Sequence, residues 1–232
     1  MRIGAIIPCR MDSTRLPEKA LRSMAGRPLV GHIVSRCMRV EPFNGRVILA
    51  TTDRPVDDPI ASYASSERIA CFRGSLDDVA GRMLRCAEAF QLEWFARVNG
   101  DSPFVDPQLL TIGCRLAKGE EYDFITNLVP RTYPYGVSVE VIRRDAFADR
   151  YDLMSDREDL EHVTRYLYRH GETLRTATLE PCRPDLHETR LTIDTQEDWL
   201  RIEKMLRRTA RSLDVLTYKE AVAWLAPTGE TR

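Results

Sequence analysis

Ile3-Gly4-Ala5-Ile6-Ile7-Pro8-Cys9-Arg10-Met11-Asp12-Ser13-Thr14-Arg15-Leu16-Pro17-Glu18-Lys19 is the stretch on which the fold turns. Residues 3–7 form a short, largely apolar run and read as a buried strand. Pro8 ends it, and a polar loop follows to Lys19. In an open α/β sheet, ligands settle at the carboxyl ends of the strands, which is where this loop starts. It carries Arg10, Arg15 and Lys19 with the hydroxyls of Ser13 and Thr14. Arginine forks match phosphate oxygens and lysine adds a point charge. Backbone N–H groups of a turning loop complete an anion cradle. The same composition also describes a solvated basic loop, and its place after the first strand tips the reading toward a site. Neither G-x-x-x-x-G-K-[ST] nor G-x-G-x-x-G is present.

Outward from this stretch, short apolar runs alternate with amphipathic ones, the pattern of a largely parallel sheet covered by helices. A helix is expected over residues 28–40, with Pro28 in its first turn. Strands follow at 47–50, 69–72 and 94–98, and a short helix opens at Asp57-Asp58-Pro59. Ser75 or Asp77 is expected to cap a helix whose apolar face uses Val79, Met83, Cys86, Ala87 and Phe90. A helix over 107–117 precedes strands at 124–125 and 137–142. Helices are then expected over 157–169, 196–207 and 218–225, with strand-like runs at 174–179 and 189–193. One domain over 1–226, with a frayed tail at 227–232, accounts for the whole pattern.

Composition narrows the function classes. The chain has 232 residues, 43% of them hydrophobic and 30% charged, with a formal net charge of −1. That balance does not support a protein that wraps nucleic acid or coats an anionic membrane. The N-terminal apolar run is too short for a signal peptide. No stretch approaches the roughly 20 apolar residues of a membrane span. The six cysteines, Cys9, Cys37, Cys71, Cys86, Cys114 and Cys182, form no C-x-x-C pair and read as reduced thiols of a cytoplasmic protein. The scattered histidines argue against a zinc site.

Two acidic residues fall at strand ends. Asp101 follows Asn99-Gly100, where glycine permits close backbone approach, and Asp194 ends the 191–193 run. Hard carboxylate oxygens at such points suit Mg²⁺ held against nucleotide phosphates. Each aspartate also reads as the cap of a following turn or helix. Arg73-Gly74-Ser75 lines either a base or phosphate pocket or a plain strand-to-helix turn.

Seven segments, taken in order, resemble the cytidylyltransferase superfamily, which includes the CMP-Kdo synthetases and the acylneuraminate cytidylyltransferases. They are the first loop from Ile7 to Lys19, Ala50-Thr51-Thr52-Asp53, Phe72-Arg73-Gly74-Ser75 through Asp78-Val79, Asn99-Gly100-Asp101-Ser102-Pro103 through Asp106-Pro107, Pro130-Arg131-Thr132-Tyr133-Pro134, Glu161-His162-Val163-Thr164, and Leu191-Thr192-Ile193-Asp194-Thr195 with Glu197-Asp198. The resemblance implies a Rossmann-like α/β nucleotidyltransferase fold, with a mixed, mostly parallel sheet of about seven strands and helices on both faces. It implies CTP and a small acidic-sugar or phosphorylated acceptor as substrates, Mg²⁺ as cofactor, and a homodimer. It assigns catalysis to Arg10, Arg15, Lys19 and Asp101, and the nucleotide also to Ser13, Arg73 and Gly74. Asp101 and Asp194 would hold the metal. Arg131, Tyr133, Glu140 and His162 would meet the acceptor, although a lone helical histidine is more often structural.

The chain departs from the family pattern at five positions. Glu18 and Asp12 stand where many relatives carry Gly, Cys9 where Ala is common, and Tyr135 and Ser138 where acidic residues are frequent. Two rival readings remain. A nucleotide-sugar glycosyltransferase would need a D-x-D motif, and Asp101-Ser102-Pro103 lacks the second Asp. A silent nucleotide-binding regulator would not need to keep Arg10, Arg15, Lys19, Asp101 and Asp194 together.

Overall fold

The computed structural model describes residues 1–119, 121–180, 186–209 and 211–225. Cys182 and the tail at 227–232 lie outside the described residues. The central sheet has seven strands. In chain order they are β1 Ile3–Pro8, β4 Val47–Thr52, β5 Ala70–Gly74, β6 Trp94–Arg97, β7 Phe124–Thr126, β8 Glu140–Arg143 and β9 Thr176–Thr178, with a small ribbon of β2 Ser23–Met24 and β3 Arg27–Pro28 beside them. The spatial order is β5-β4-β1-β6-β8-β7-β9. Only β8 runs antiparallel to its neighbours. This is the expected α/β fold with a mixed, mostly parallel sheet.

The strand composition follows from burial on both faces. Ile3, Ala5 and Ile7 of β1 enter one apolar cluster and Ile6 enters another. A strand covered twice needs a continuous apolar run rather than alternation. The first face is covered by α1 Leu29–Cys37, α2 Asp58–Ser66 and α4 Pro107–Ala117. The second is covered by α3 Val79–Ala89, α5 Arg144–Tyr151, α6 Arg157–Glu161 and α7 Arg165–Arg169. A third cluster gathers Trp199, Ile202, Met205 and Leu206 of α8 Gln196–Thr209 with Tyr218 and Ala221 of α9 Tyr218–Leu225. Leu16, Tyr133, Leu191 and Ile193 join it. At about 1.5–3 kcal/mol per large side chain buried, this cluster fixes three loops at once.

Several local expectations are corrected. The cap of α3 is Asp78, whose Oδ1 accepts from the Gly81 amide at 2.7 Å, not Ser75 or Asp77. The expected helix over 157–169 is two short helices, because Val163 turns to φ 38° and is buried. The break has a charge-pairing consequence. Residues six apart on one continuous helix do not face each other, yet buried Asp159 pairs with Arg165 at 2.8 Å and with Arg169 at 3.3 Å. The 189–193 run makes a single bridge, Arg190 to Tyr135, instead of a strand. Its amides go to loops: Leu191 N–H donates to the Tyr135 carbonyl at 2.8 Å and Ile193 N–H to the Asp101 carbonyl at 2.9 Å. Residues 137–139 precede β8 because the Asn127 side chain takes their backbone partners, at 2.8 Å from both the Val137 carbonyl and the Val139 amide. Helix α5 was not expected, and its composition explains why: only Phe147 of its eight residues is buried.

Candidate active site

The first loop leaves β1 at the carboxyl edge of the sheet and is pinned at three places. Buried Asp57 accepts the Met11 amide at 2.7 Å and is also bound by the Thr52 hydroxyl. The Glu18 amide donates to the Met11 carbonyl at 2.7 Å. Leu16 is buried in the third cluster. With Met11 and Leu16 turned inward, the loop presents Arg10, Ser13, Thr14 and Arg15 to a cleft of about 300 Å³. Gly100, Asp101 and Asp194 line the opposite side, and Lys19 lies between.

Lys19 is the centre of this arrangement. Its side chain is only 14% exposed, and Nζ lies 3.1 Å from Asp194 Oδ1 and 3.5 Å from Asp101 Oδ2. Nζ also donates to the Ile193 carbonyl at 3.0 Å. Arg15 reaches the same Asp194 oxygen at 3.2 Å. Asp101 and Asp194, 93 positions apart in sequence, therefore converge on one cation. The Ile193 amide bond to Asp101 stitches the two carboxylate-bearing segments together. Gly100 is required at the junction: a Cβ there would sit 2.7 Å from the Pro8 carbonyl oxygen and 3.2 Å from Cys9 Cβ. Cys9 itself is buried, and burial pushes its thiol up to about 12, so it is a neutral, small apolar wall of the cleft.

The two added carboxylates of the first loop point elsewhere. Asp12 pairs with Arg54 at 2.6 Å and lies 3.6 Å from Arg10 Nε. The hydrogen bond from Arg54 holds its carboxyl below the usual range. Glu18 is exposed and sits at φ 59°, the left-handed region in which glycine is at ease and a side chain costs about 1–2 kcal/mol.

The remaining expected residues divide. Arg73 does not line the cleft: its guanidinium donates to the Thr52 and Arg54 carbonyls, both at 2.9 Å, and pairs with Asp58 at 2.6 Å. Gly74 lies against Arg82 and Phe72. Tyr133 is buried, with its hydroxyl donating to the Glu180 carbonyl at 2.9 Å. His162 is exposed and caps the end of α6. Arg131 stacks on Tyr135.

Glu140 is not offered to a ligand. It is 1% exposed, with Oε2 accepting from Arg97 at 2.6 Å and Oε1 from the Tyr168 hydroxyl at 2.8 Å. Thr126 contacts the same hydroxyl at 2.9 Å. Burial works against the Arg97 charge, and the Glu140 carboxylate more than offsets it, so its pKa is raised. Burial, then Glu140, drives the Tyr168 phenol well above its ordinary value. These groups gather where β6, β7 and β8 share the carboxyl edge. The reading of the residues passed over Arg97, although a charge closing an otherwise apolar strand was a usable signal. Arg54 and Asp57, which set the first loop, gave none.

The two carboxylates fit Mg²⁺. This ion binds through one or two carboxylates and completes its shell with substrate phosphates and water. Asp101 and Asp194 already converge on one cationic atom. Among the described residues no group of three or more His, Cys, Asp or Glu side chains is placed to hold a metal alone.

Comparison with known proteins identifies the family. Residues 4–222 match the family model described as cytidylyltransferase. The chain is 34% identical over 219 residues to spore coat polysaccharide biosynthesis protein SpsF of Bacillus subtilis, covering 90% of this chain and 88% of that protein. It is 26% identical to a 3-deoxy-manno-octulosonate cytidylyltransferase of Geobacter metallireducens, over 87% of this chain and 88% of that one. A solved cytidylyltransferase from Leptospira borgpetersenii superposes with a TM-score of 0.89 at 26% identity, covering 97% of this chain and 94% of its own.

Proposed function

The chain belongs to the cytidylyltransferase family and is a CTP-dependent nucleotidyltransferase, and from that premise we propose that it transfers CMP from CTP to a small acidic or phosphorylated sugar-like acceptor, releasing pyrophosphate, with the product entering surface-glycan assembly. The observation that carries this reading is Lys19 held between Asp101 and Asp194 beneath the arginine loop. An acceptor oxygen attacks the α-phosphorus, the bond to the β-phosphate oxygen breaks, and pyrophosphate leaves. Such a reaction asks mainly for positioning and charge neutralisation.

Arg10, Arg15 and Lys19 grip the triphosphate, and Ser13 orients it with its hydroxyl. Asp101 and Asp194 would hold Mg²⁺, which would neutralise charge on the phosphates. Lys19 exchanges its carboxylates for phosphate oxygens, a short move for a flexible side chain. Arg97, fixed by Glu140, closes the end of β6. A homodimer belongs to this reading on the resemblance alone, and a cytoplasmic location on the cysteine pattern of the sequence. Among the described residues no helix is long and apolar enough to cross a membrane.

The test is pyrophosphate release with Mg²⁺, screening CTP, UTP, GTP and ATP against keto-acid sugars and phosphorylated or phosphonate acceptors. Acceptor-dependent release with CTP, abolished by Asp101→Ala and by Arg15→Ala, is the expected result. Failure of the wild-type protein to bind any nucleotide in a calorimeter would overturn the reading.

A further inference from the structure

Helix α8 starts two residues after Asp194 and is not capped by it. The cap is made by Thr195 and Asp198. The Asp198 amide donates to Thr195 Oγ1 at 3.2 Å, and Asp198 Oδ2 accepts from the Thr195 amide at 3.0 Å. This reciprocal pair is a capping box, closed by a carboxylate on the third helical residue. The same Oδ2 accepts a further amide, that of Asp194, at 3.0 Å. The other oxygen, Oδ1, accepts from Arg201 at 2.8 Å. Both oxygens of Asp198 are thus tied, and its side chain is only 16% exposed.

The backbone on either side of Asp194 is fixed by these bonds and by two others. The Ile193 amide donates to the Asp101 carbonyl at 2.9 Å, and Lys19 Nζ donates to the Ile193 carbonyl at 3.0 Å. The amides of Asp194 and Thr195 both go to Asp198. An aspartate just before a helix commonly turns its carboxylate onto the amides of the first turn. Here the neighbours take that duty. Among the described residues the Asp194 carboxylate meets only side-chain cations, Lys19 at 3.1 Å and Arg15 at 3.2 Å.

We propose that Asp198 is a positioning residue of the active site. By holding the Asp194 and Thr195 amides it relieves Asp194 of capping and aims its carboxylate into the cleft, toward Asp101. Asp198 does not line the cleft, so it acts through Asp194 alone. The role rests on the reading in which Asp194 serves the metal that accompanies the nucleotide. The sequence held Asp198 inside a matching segment without giving it a task, because the amide it takes from Asp194 lies outside the helix that it caps.

The experiment measures CTP affinity by calorimetry with and without Mg²⁺, a readout that needs no acceptor. In the wild-type protein Mg²⁺ tightens CTP binding, and Asp194→Ala removes that gain. Asp198→Ala and Asp198→Ser, either of which suffices, reduce the gain by about tenfold or more, the scale of losing a group that orients a metal ligand. Asp198→Asn keeps an oxygen for both amides and restores most of it. Thr195→Ala is the control for a frayed helix. It removes the hydroxyl that caps the Asp198 amide and lowers the thermal midpoint, but it leaves Asp198 Oδ2 on the Asp194 amide and so keeps the Mg²⁺ gain. Equal losses of the gain in Thr195→Ala and Asp198→Ala overturn the proposal, as does an unchanged gain in the Asp198 variants, and both leave the role of Asp194 standing. A wild-type affinity that ignores Mg²⁺, or a gain that survives Asp194→Ala, overturns the reading of Asp194 and the proposal with it.

Discussion

Lys19 reaches two carboxylates, at 3.1 and 3.5 Å, whereas Arg131 reaches an aromatic ring at 4.2 Å and, among the described residues, no carboxylate. Both belong to loops at the carboxyl edge of the sheet. The first loop is neutralised in advance. Lys19 and Arg15 lean on Asp194, and Arg10 and Arg54 lean on Asp12. A nucleotide entering there exchanges partners rather than filling a void. The second region meets, among the described residues, an aromatic ring in place of a carboxylate.

The largest test of this contrast is Asp101→Asn. It removes a charge that pairs with Lys19 in the cleft, and pyrophosphate release should fall by about 100-fold or more. Retained turnover would mean that the first region is not the reacting end. Next is Glu140→Ala, which leaves Arg97, 18% exposed, without its partner. Breaking a buried pair from one side costs about 3–5 kcal/mol, read as a lower urea midpoint. A midpoint that does not move would show that Arg97 finds water.

A smaller effect of opposite sign is expected from Glu18→Gly. Relief of the left-handed backbone should stabilise the protein by about 1 kcal/mol, with CTP affinity unchanged because Glu18 does not line the cleft. Weaker nucleotide binding would instead give Glu18 a part in the first loop. The smallest effect concerns Asp12. Its folded pKa is lowered by Arg54, so its contribution is present above the unfolded carboxyl value of about 4 and is lost as pH falls through the folded one. Asp12→Asn should therefore lower the thermal midpoint slightly at pH 7, with the gap closing as pH drops below about 4 and as salt is added. A gap that persists into acid would show that the Asp12–Arg54 contact acts by shape rather than charge.

Much of the fold was legible because periodicity reports burial. The run Ile3–Ile7, the strands near 47, 70 and 94 and the helix over 107–117 lie where the pattern puts them. The misreadings fall where a side chain replaced a backbone partner. Asn127 delayed the start of β8, and Asp159 rewarded a broken helix with two arginines. Within the site, the loop cations and the two aspartates lie together in the cleft. Arg73 sits in a matching segment and Glu140 in an expected strand, but they are spent on carbonyls and on an internal pair. A motif fixes residue type and position along the chain, not the direction of a side chain.

By itself the sequence determined the layered sheet, the charged loop on its first strand and the membership of a family, because these depend on local patterning and ordered motifs. Only the tertiary structure decided that Asp101 and Asp194 converge on Lys19. It also decided that the carboxylate of Asp12 is turned onto Arg54, and that Arg131 and Arg190 share one ring. Each of these joins residues from separate segments, and their pairing is fixed by the third apolar cluster and the loop hydrogen bonds, which no local pattern encodes.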